Sequence, residues 1–336
     1  MDRVQRVERD AAIGGAVKDL NDRFSAYLSP KQYGVFQEAL ENAFEGIGTA
    51  IQGVPQGLRI ESVYPGTPAE RAGLRVGDIV THAAGRRLAG LPEQAAVALI
   101  KGRAGTSVTL RIRRGERSFT KRVTRERIDV PSVQSRIVNA GGRRAAYIAL
   151  STFGSDNGHE QMAAAIRRAE RRKAKGIVLD LRHNGGGLIT EAQLVASMFL
   201  KGGPIVTTRG RAVKERTLNA VGRPIAGDLP TVVLVDRNTA SASEIVAGAL
   251  QDRKRATLVG TRTFGKGIFQ EILPLDNGGA LDITVGQYFL PSGRNIGGAG
   301  TKPGRGLTPD VRVEDNPRTR RDEALDKALD VLAGKL

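Results

Sequence analysis

The chain contains 336 residues, enough for about two domains, and 40% of them are hydrophobic, as in an ordinary globular protein. Its 52 Lys and Arg residues against 35 Asp and Glu give a net charge of +17. The absence of cysteine excludes disulfides, thiol nucleophiles and cysteine-based metal sites. Three scattered histidines, His82, His159 and His183, exclude a histidine-rich metal centre. We therefore expect neither a metal nor a cofactor.

The positive charge first suggests nucleic acid as a partner. Its densest stretch, residues 101–127, alternates basic and apolar residues like a strand with one solvated face, and Arg167 to Arg172 repeat at helical spacing. Aromatic residues make up only 4% of the chain and tryptophan is absent, so few side chains could stack on bases. We expect a solvated basic surface and no specific nucleic-acid partner.

The predicted elements fall into three stretches. Residues 7–42 have a helical pattern that breaks at Leu28-Ser29-Pro30, and residues 46–128 form a block of short strands with one helix at Pro92–Ile100. From Ile128 onward, apolar strands alternate with amphipathic helices. That alternation predicts a largely parallel sheet covered by helices. The last predicted elements are a strand at Leu281–Leu290 and an amphipathic helix at Arg321–Leu332.

Three unusual sequences follow predicted strands, where open α/β sheets bind their ligands. The first, Asp180 to Gly187, ends in three glycines whose backbone N–H groups could hold an anion or a developing oxyanion. The alternative is an ordinary flexible connection.

The second sequence, Asn238 to Glu244, marks a turn from a strand into a helix. A serine in such a turn can present its hydroxyl above the sheet, and the Ala242 N–H at the helix terminus can stabilise negative charge. Ser241-x-x-Glu244 also matches a helix capping box, which requires no catalysis. Both interpretations remain open on this motif alone.

The third sequence, Thr263 to Gly267, places Lys266 between two glycines. A lysine shielded from water loses its proton more easily and can serve as a base. A lysine at a solvated hairpin tip is the simpler alternative. Gln270 lies four residues further on, on the same face if the segment is a strand. Because no histidine lies near Ser241 in the sequence, a neutral lysine is the candidate base for a Ser-Lys pair.

The segment Ser241 to Asp252, followed by Gly260-x-x-Thr-Phe-Gly-Lys-Gly and Gln270, resembles the carboxyl-terminal processing, or tail-specific, serine proteases. The resemblance implies that Ser241 is the nucleophile, Lys266 the general base and Gln270 the residue that orients the lysine. Residues 180–187 resemble the Asp-Leu-Arg-x-Asn-Pro-Gly-Gly loop of that family, with Gly185 in place of proline. The implied oxyanion hole combines the N–H of Ala242 with that of Gly186 or Gly187.

Similarity to this family extends over nearly the whole chain. Asp22 to Pro30 is similar to its Asp-Pro-x-Ser-x-Tyr-Leu segment, and the stretch that opens at Glu45 looks like a PDZ domain. PDZ domains bind a chain terminus by adding a strand to a sheet edge. Gly46-Ile47-Gly48 is the candidate loop for the terminal carboxylate, beside an apolar groove.

The resemblance implies a multidomain α/β (α+β) protein. We expect a helical segment at 1–44, an inserted PDZ domain at 45–128, and a protease core at 129–336 with a covered mixed sheet, flanking helices and a C-terminal helix. The implied function is a serine endopeptidase that cleaves proteins recognised by their C-terminal tails. The alternative is a non-catalytic PDZ scaffold that only binds peptides.

Protein or peptide substrates with apolar C-termini are the expected partners. The amphipathic ends, Val7–Leu20 and Arg321–Leu332, allow a homodimer or packing on their own core, and a regulatory or adaptor protein is a further expected partner. No run of 18 apolar residues is present, and the first residues lack a secretory signal. Family resemblance implies an extracytoplasmic location, the periplasm or cell envelope, reached through an upstream export segment; a cytosolic location is the alternative.

Overall fold

The computed structural model describes residues 3–41, 43–297, 305–319 and 321–336. The chain forms two compact units. The smaller unit contains Asn42–Val130, and the larger combines Met1–Glu41 with Pro131–Leu336. The span proposed for the inserted domain, 45–128, lies within the smaller unit.

The larger unit begins with α1 (Arg3–Lys18), β1 (Ala26–Leu28) and α2 (Pro30–Glu41). The strand differs from the helical pattern predicted for this stretch, whose last residue, Asn42, lies outside the described residues. Residues 26–28 pair antiparallel with residues 280–282, so long-range sheet pairing overrides the local helical pattern.

The smaller unit is built around an antiparallel sheet with the strand order β3-β4-β5-β7-β8, to which β6 adds beside β5, while β2 pairs with β9. Its buried core includes Ile47, Leu58 and Ile112, and its edge strand β3 leaves one row of backbone groups unpaired by the sheet. Its elements are β2 (Ala43–Gly46), β3 (Thr49–Val54), β4 (Gly57–Val63), α3 (Pro68–Arg71), β5 (Ile79–Ala83), β6 (Arg86–Arg87), α4 (Glu93–Ile100), β7 (Ser107–Arg114), β8 (Arg117–Thr124) and β9 (Glu126–Asp129).

The rest of the larger unit alternates strands and helices, as predicted. The elements are β10 (Val133–Ala140), β11 (Arg143–Leu150), α5 (Gly158–Arg171), β12 (Ile177–Asp180), α6 (Ile189–Ser197), β13 (Pro204–Arg209), β14 (Arg216–Asn219), β15 (Thr231–Val235), α7 (Ala242–Asp252), β16 (Thr257–Gly260), β17 (Ile268–Pro274), β18 (Ala280–Phe289), β19 (Val311–Arg312) and α8 (Glu323–Ala333).

The main sheet of the larger unit has the order β10-β11-β12-β15-β16-β19. β10 and β11 are antiparallel and the following pairs are parallel. Helices α5, α6 and α7 contribute to one buried cluster and α8 to another, which accounts for the fully buried residues of β12 and β15. The predicted mixed α/β fold with flanking helices is confirmed. Within the described residues, no helix has the length and apolar character needed to cross a membrane.

A second, antiparallel sheet has the order β1-β18-β13-β14, with β17 also paired to β18. β17 starts two residues after Lys266, and its Gln270 pairs with Thr284 of β18. β1 pairs antiparallel with residues 280–282 of β18, so the residues that precede β1 run toward Thr284, whose N–H donates to the Ser25 hydroxyl oxygen. This sheet therefore brings the N-terminal segment of the unit and the predicted lysine together.

Candidate active site

Ser241 occupies a strained turn between β15 and α7. Its backbone angles are φ 56° and ψ −119°, in a region that residues other than glycine rarely adopt. Such strain costs on the order of 1–3 kcal/mol and persists only where surrounding contacts hold it. A serine on a sharp strand-to-helix turn is the geometry that exposes a nucleophilic hydroxyl at the edge of a sheet.

The buried Glu244 carboxylate supplies those contacts. It accepts hydrogen bonds from the N–H groups of Ser241 (2.9 Å), Gly265 (2.8 Å) and Lys266 (2.9 Å), and from the Thr263 hydroxyl. The Ser241 bond is the Glu244 side of the predicted capping box, but the same carboxylate also holds the distant lysine loop. The Glu244 side chain thus fixes the backbone of both residues of the predicted Ser-Lys pair.

Burial raises the pKa of Glu244 by removing the carboxylate from water, while its four hydrogen-bond donors oppose that shift. These four donors hold the buried Glu244 side chain in one position. Removing it would leave the donors without partners.

Lys266 is half-buried, and it is not at a hairpin tip because β16 before it and β17 after it belong to different sheets. Its ammonium nitrogen lies 5.5 Å from the centre of the Phe24 ring, a cation–π distance. Phe24 comes from the segment that resembles Asp-Pro-x-Ser-x-Tyr-Leu. That segment contributes the aromatic surface over which the lysine lies.

Desolvation lowers the pKa of Lys266, and the charges of Asp282 and Asp22 partly oppose this effect. Asp22 is fixed by the Ser25 hydroxyl at 2.7 Å, and the Ser25 oxygen accepts the N–H of Thr284 in β18. Burial raises the pKa of Asp282, whose Oδ1 is buried without a hydrogen-bond partner. The lysine site therefore makes the Lys266 ammonium easier to deprotonate than a lysine in water, the direction that a general base requires.

The glycine loop lies against the serine turn. A Cβ added to Gly186 would lie 2.9 Å from Ser241 Cβ and 3.0 Å from Ala242 N. Gly187 instead bridges to Phe153. Of the two predicted oxyanion-hole glycines, Gly186 is thus the one whose backbone packs against the serine turn.

Asn184 holds this loop in place. It is fully buried, its amide donates to the Leu150 carbonyl (2.8 Å), and its Oδ1 accepts the Gly186 N–H (3.0 Å). Its backbone carbonyl accepts the Ala240 N–H and the Ser243 hydroxyl. Glycine loop and serine turn therefore form one hydrogen-bonded assembly.

Tyr288 is a further neighbour of the predicted nucleophile. Its buried ring stacks on Phe269 with centroids 5.3 Å apart, and its hydroxyl interacts with the Ser241 side chain. Burial raises the pKa of Tyr288, so the phenol keeps its proton and can donate a hydrogen bond.

Gln270, predicted to orient the lysine, lies in β17 next to a register shift between Phe269 and Gln270. Its amide nitrogen donates to the Thr284 hydroxyl at 3.4 Å. The predicted contact with Lys266 stays a prediction.

Two of the three predicted PDZ residues line an apolar cavity of about 180 Å³ in the smaller unit. Gly46 and Ile47 belong to its lining, whereas Gly48 does not, since it has φ +87° and packs tightly against Thr67. The lining residues are Phe44, Gly46, Ile47, Thr49, Ile51, Val97, Ile100 and Lys101.

Two wider clefts, about 540 and 550 Å³, flank Arg182 at the carboxyl edge of the main sheet. Neither is lined by Ser241 or Lys266. The Arg182 guanidinium is bonded to Asp180 (2.7 Å) and Asp322 (2.7 Å), so its charge is already matched. In the part of the chain that the structure describes, no group of three or more acidic or histidine side chains could hold a metal ion.

The serine turn, the glycine loop and the shielded lysine all lie in a segment that matches a known protein family. The model of peptidase family S41 matches residues 144–313, half of the chain, and includes the serine turn and the lysine. The chain belongs to peptidase family S41. A PDZ domain model matches residues 59–114.

Relatives of this S41 peptidase include a carboxy-terminal-processing protease of Bartonella bacilliformis, 36% identical over 90% of this chain and 69% of that protein. A probable CtpA-like serine protease of Staphylococcus aureus is 34% identical over 87% of this chain, which spans 58% of that protein's length. The solved structure of a photosystem II D1 C-terminal processing protease is 30% identical with a TM-score of 0.57, covering 99% of this chain and 87% of that one. The predicted family and its serine-peptidase class are confirmed.

Several site residues were missed by the sequence analysis. Glu244 was noticed only as a capping residue and Asn184 only as one position of the glycine loop, and Asp282 and Tyr288 carried no motif that marked them. A charged residue inside an otherwise apolar helix was the available signal for Glu244, because carboxylates are seldom fully buried without donors.

Proposed function

We propose that this S41 peptidase is a serine endopeptidase in which Ser241 is the nucleophile and Lys266 the general base. The observation that supports it most is the shared carboxylate: Glu244 binds the N–H groups of both residues. A Ser-Lys pair needs a serine on a strained turn and a lysine shielded from water. Ser241 and Lys266 have these features, and both are held by the Glu244 carboxylate.

In the proposed mechanism the neutral Lys266 amine takes the proton of the Ser241 hydroxyl as its oxygen attacks the scissile carbonyl carbon. The Ala242 N–H and a glycine N–H stabilise the resulting oxyanion. If Gly186 supplies it, its N–H must leave the Asn184 oxygen. The lysine ammonium then protonates the departing amine, and water, deprotonated by Lys266, hydrolyses the acyl-enzyme. We retain Gln270 as the residue that orients Lys266, which requires its amide to leave Thr284.

We further propose that the cavity beside Ile47 and Ile51 binds apolar C-terminal tails of substrate proteins. The Gly46-Ile47-Gly48 loop supplies backbone N–H groups to the terminal carboxylate, and the apolar walls bind its side chain. Lys101, which also belongs to the lining, adds a positive charge and lies over the Phe44 ring at 5.3 Å.

We place this activity outside the cytoplasm, in the periplasm or cell envelope, because the chain resembles processing proteases of that location. Immunodetection in cytoplasmic and envelope fractions of the source cell tests this point, and a purely cytoplasmic signal contradicts it.

Degradation of an unstructured protein with an apolar C-terminus tests the proposed activity. We expect cleavage by the wild type and none by Ser241→Ala or Lys266→Ala, whereas the exposed-site controls Ser118→Ala and Lys327→Ala should cleave normally. Cleavage by Ser241→Ala contradicts the nucleophile. Binding of the tail without cleavage by the wild type favours the peptide-binding scaffold.

A further inference from the structure

Next to the apolar cavity, a side chain of α4 is hydrogen-bonded to the edge strand β3. The Oε2 of Glu93, the first residue of α4, accepts the backbone N–H of Gly53 in β3 at 2.7 Å. The cavity lining stops before this bond, at Ile51 on β3 and Val97 on α4.

The bond identifies which groups of β3 face the groove. β3 is the edge strand of its sheet, and alternate residues of a strand direct their N–H and C=O groups to the same side. Because Gly53 donates away from β4 to Glu93, Ile51 and Thr49 also face the groove. A peptide added to this edge would pair with Thr49, Ile51 and Gly53 in turn.

The direction of such a peptide follows from the loop that precedes β3. With its carboxylate at Gly46-Ile47-Gly48 and its strand antiparallel to β3, the last residue lies beside Thr49 and the third-last beside Ile51. The fifth-last residue would need the N–H of Gly53. That donor is already bound to Glu93.

We infer that Glu93 is a specificity-determining residue that ends the recognised tail after its last three residues. This inference rests on the proposed binding of tails in the cavity. The volume of about 180 Å³ agrees with a short ligand, since sites for whole small molecules usually exceed about 300 Å³. The substrates are thus proteins with an apolar C-terminal tripeptide, whose preceding residues do not add to binding.

The test measures peptide affinity by calorimetry on the full chain carrying Ser241→Ala, so that bound peptides stay intact. Two peptides share an apolar C-terminal tripeptide, one of three residues and one of six. With Glu93 present, the two dissociation constants should agree within about twofold. Glu93→Ala should tighten the six-residue peptide about threefold to tenfold, the effect of one added backbone hydrogen bond, and leave the shorter peptide unchanged.

Two variants sharpen the test. Glu93→Gln keeps an oxygen that can accept the Gly53 N–H, so it should behave as the parent, which separates the hydrogen bond from the charge. Glu116→Ala removes another exposed glutamate of the same unit, outside the cavity, and should change nothing.

Different failures point to different errors. If no peptide binds any variant, or an amidated C-terminus binds as well as a free one, tail recognition itself is wrong and this inference falls with it. If both peptides bind but the longer one is more than tenfold tighter on the parent, or Glu93→Ala leaves their ratio unchanged, only the role of Glu93 is wrong.

Discussion

The serine turn and the PDZ groove represent opposite ways of preparing a site. At the turn, a strained residue is buried and held by a carboxylate, a glycine loop and an asparagine, so its geometry has little freedom. In the groove, the strand β3 lies at the edge of its sheet, and the Gly53 N–H on that edge is bonded to Glu93. Under the proposed function, bond breaking would depend on a fixed backbone, whereas tail selection would depend on an edge left open. Substitutions in the two regions should therefore change different quantities.

The largest effect is expected from Glu244→Ala. It leaves the N–H groups of Ser241, Gly265 and Lys266 and the Thr263 hydroxyl without their partner, so we expect the free energy of unfolding to fall by about 3–5 kcal/mol. Urea denaturation measures it. Glu170→Ala, at an exposed position of α5, is the control, and a loss below about 1 kcal/mol would show that Glu244 does not hold the turn.

Gly186→Ala should reduce kcat about 100-fold, the scale of a lost oxyanion donor. The added Cβ would lie 2.8 Å from the Ala240 carbonyl oxygen, and φ is +101°. Gly185→Ala is a matched control in the same loop, because nothing lies within 4 Å of its Cβ. Steady-state kinetics on a short peptide decides the point. Equal kcat values for the two variants would show that Gly186 is not part of the oxyanion hole.

A charge in the groove should weaken the binding of tailed substrates without changing the rate of the chemical step. Val97→Lys places an ammonium in the apolar wall, so we expect KM for a substrate with an apolar tail to rise about tenfold, by analogy with the loss of a buried aliphatic contact. Turnover of a short peptide without that tail should be unchanged. Val76→Lys, at a position 66% exposed, is the control. A fall in kcat on the short peptide would contradict the division of roles.

The smallest expected effect is a displacement of the pH profile. Activity should rise with pH as the Lys266 ammonium loses its proton, because only the amine can accept the serine proton. The charge of Asp282 raises the pKa of Lys266, so Asp282→Asn should lower that pKa and move the rise in kcat/KM to lower pH. Asp276→Asn in the β17–β18 turn is the control. A profile that Asp282→Asn leaves unchanged would show that Asp282 does not act on the lysine.

Local periodicity in the sequence predicted the alternating strands and helices, whereas the mixed sheet and the roles of the motif residues followed from the resemblance to a known family. It did not predict β1, since its pairing with β18 depends on residues about 250 positions away. The partners of the lysine were missed for the same reason, because Phe24, Asp22 and Asp282 meet it only after the second sheet forms.

The role of Glu93 was equally invisible in the sequence. Its bond to Gly53 joins residues 40 positions apart, and neither residue belongs to a recognisable motif. The helical pattern predicted the start of α4 to within one residue. It did not predict that the Glu93 side chain would bind the Gly53 N–H.

Labelling with a fluorophosphonate, followed by mass spectrometry of the modified peptide, tests the central claim most directly. The account predicts one adduct on Ser241, forming faster as pH rises, lost in Ser241→Ala and strongly slowed in Lys266→Ala. An adduct on another serine, or a rate on Ser241 that neither pH nor Lys266→Ala changes, would contradict the proposed Ser-Lys pair.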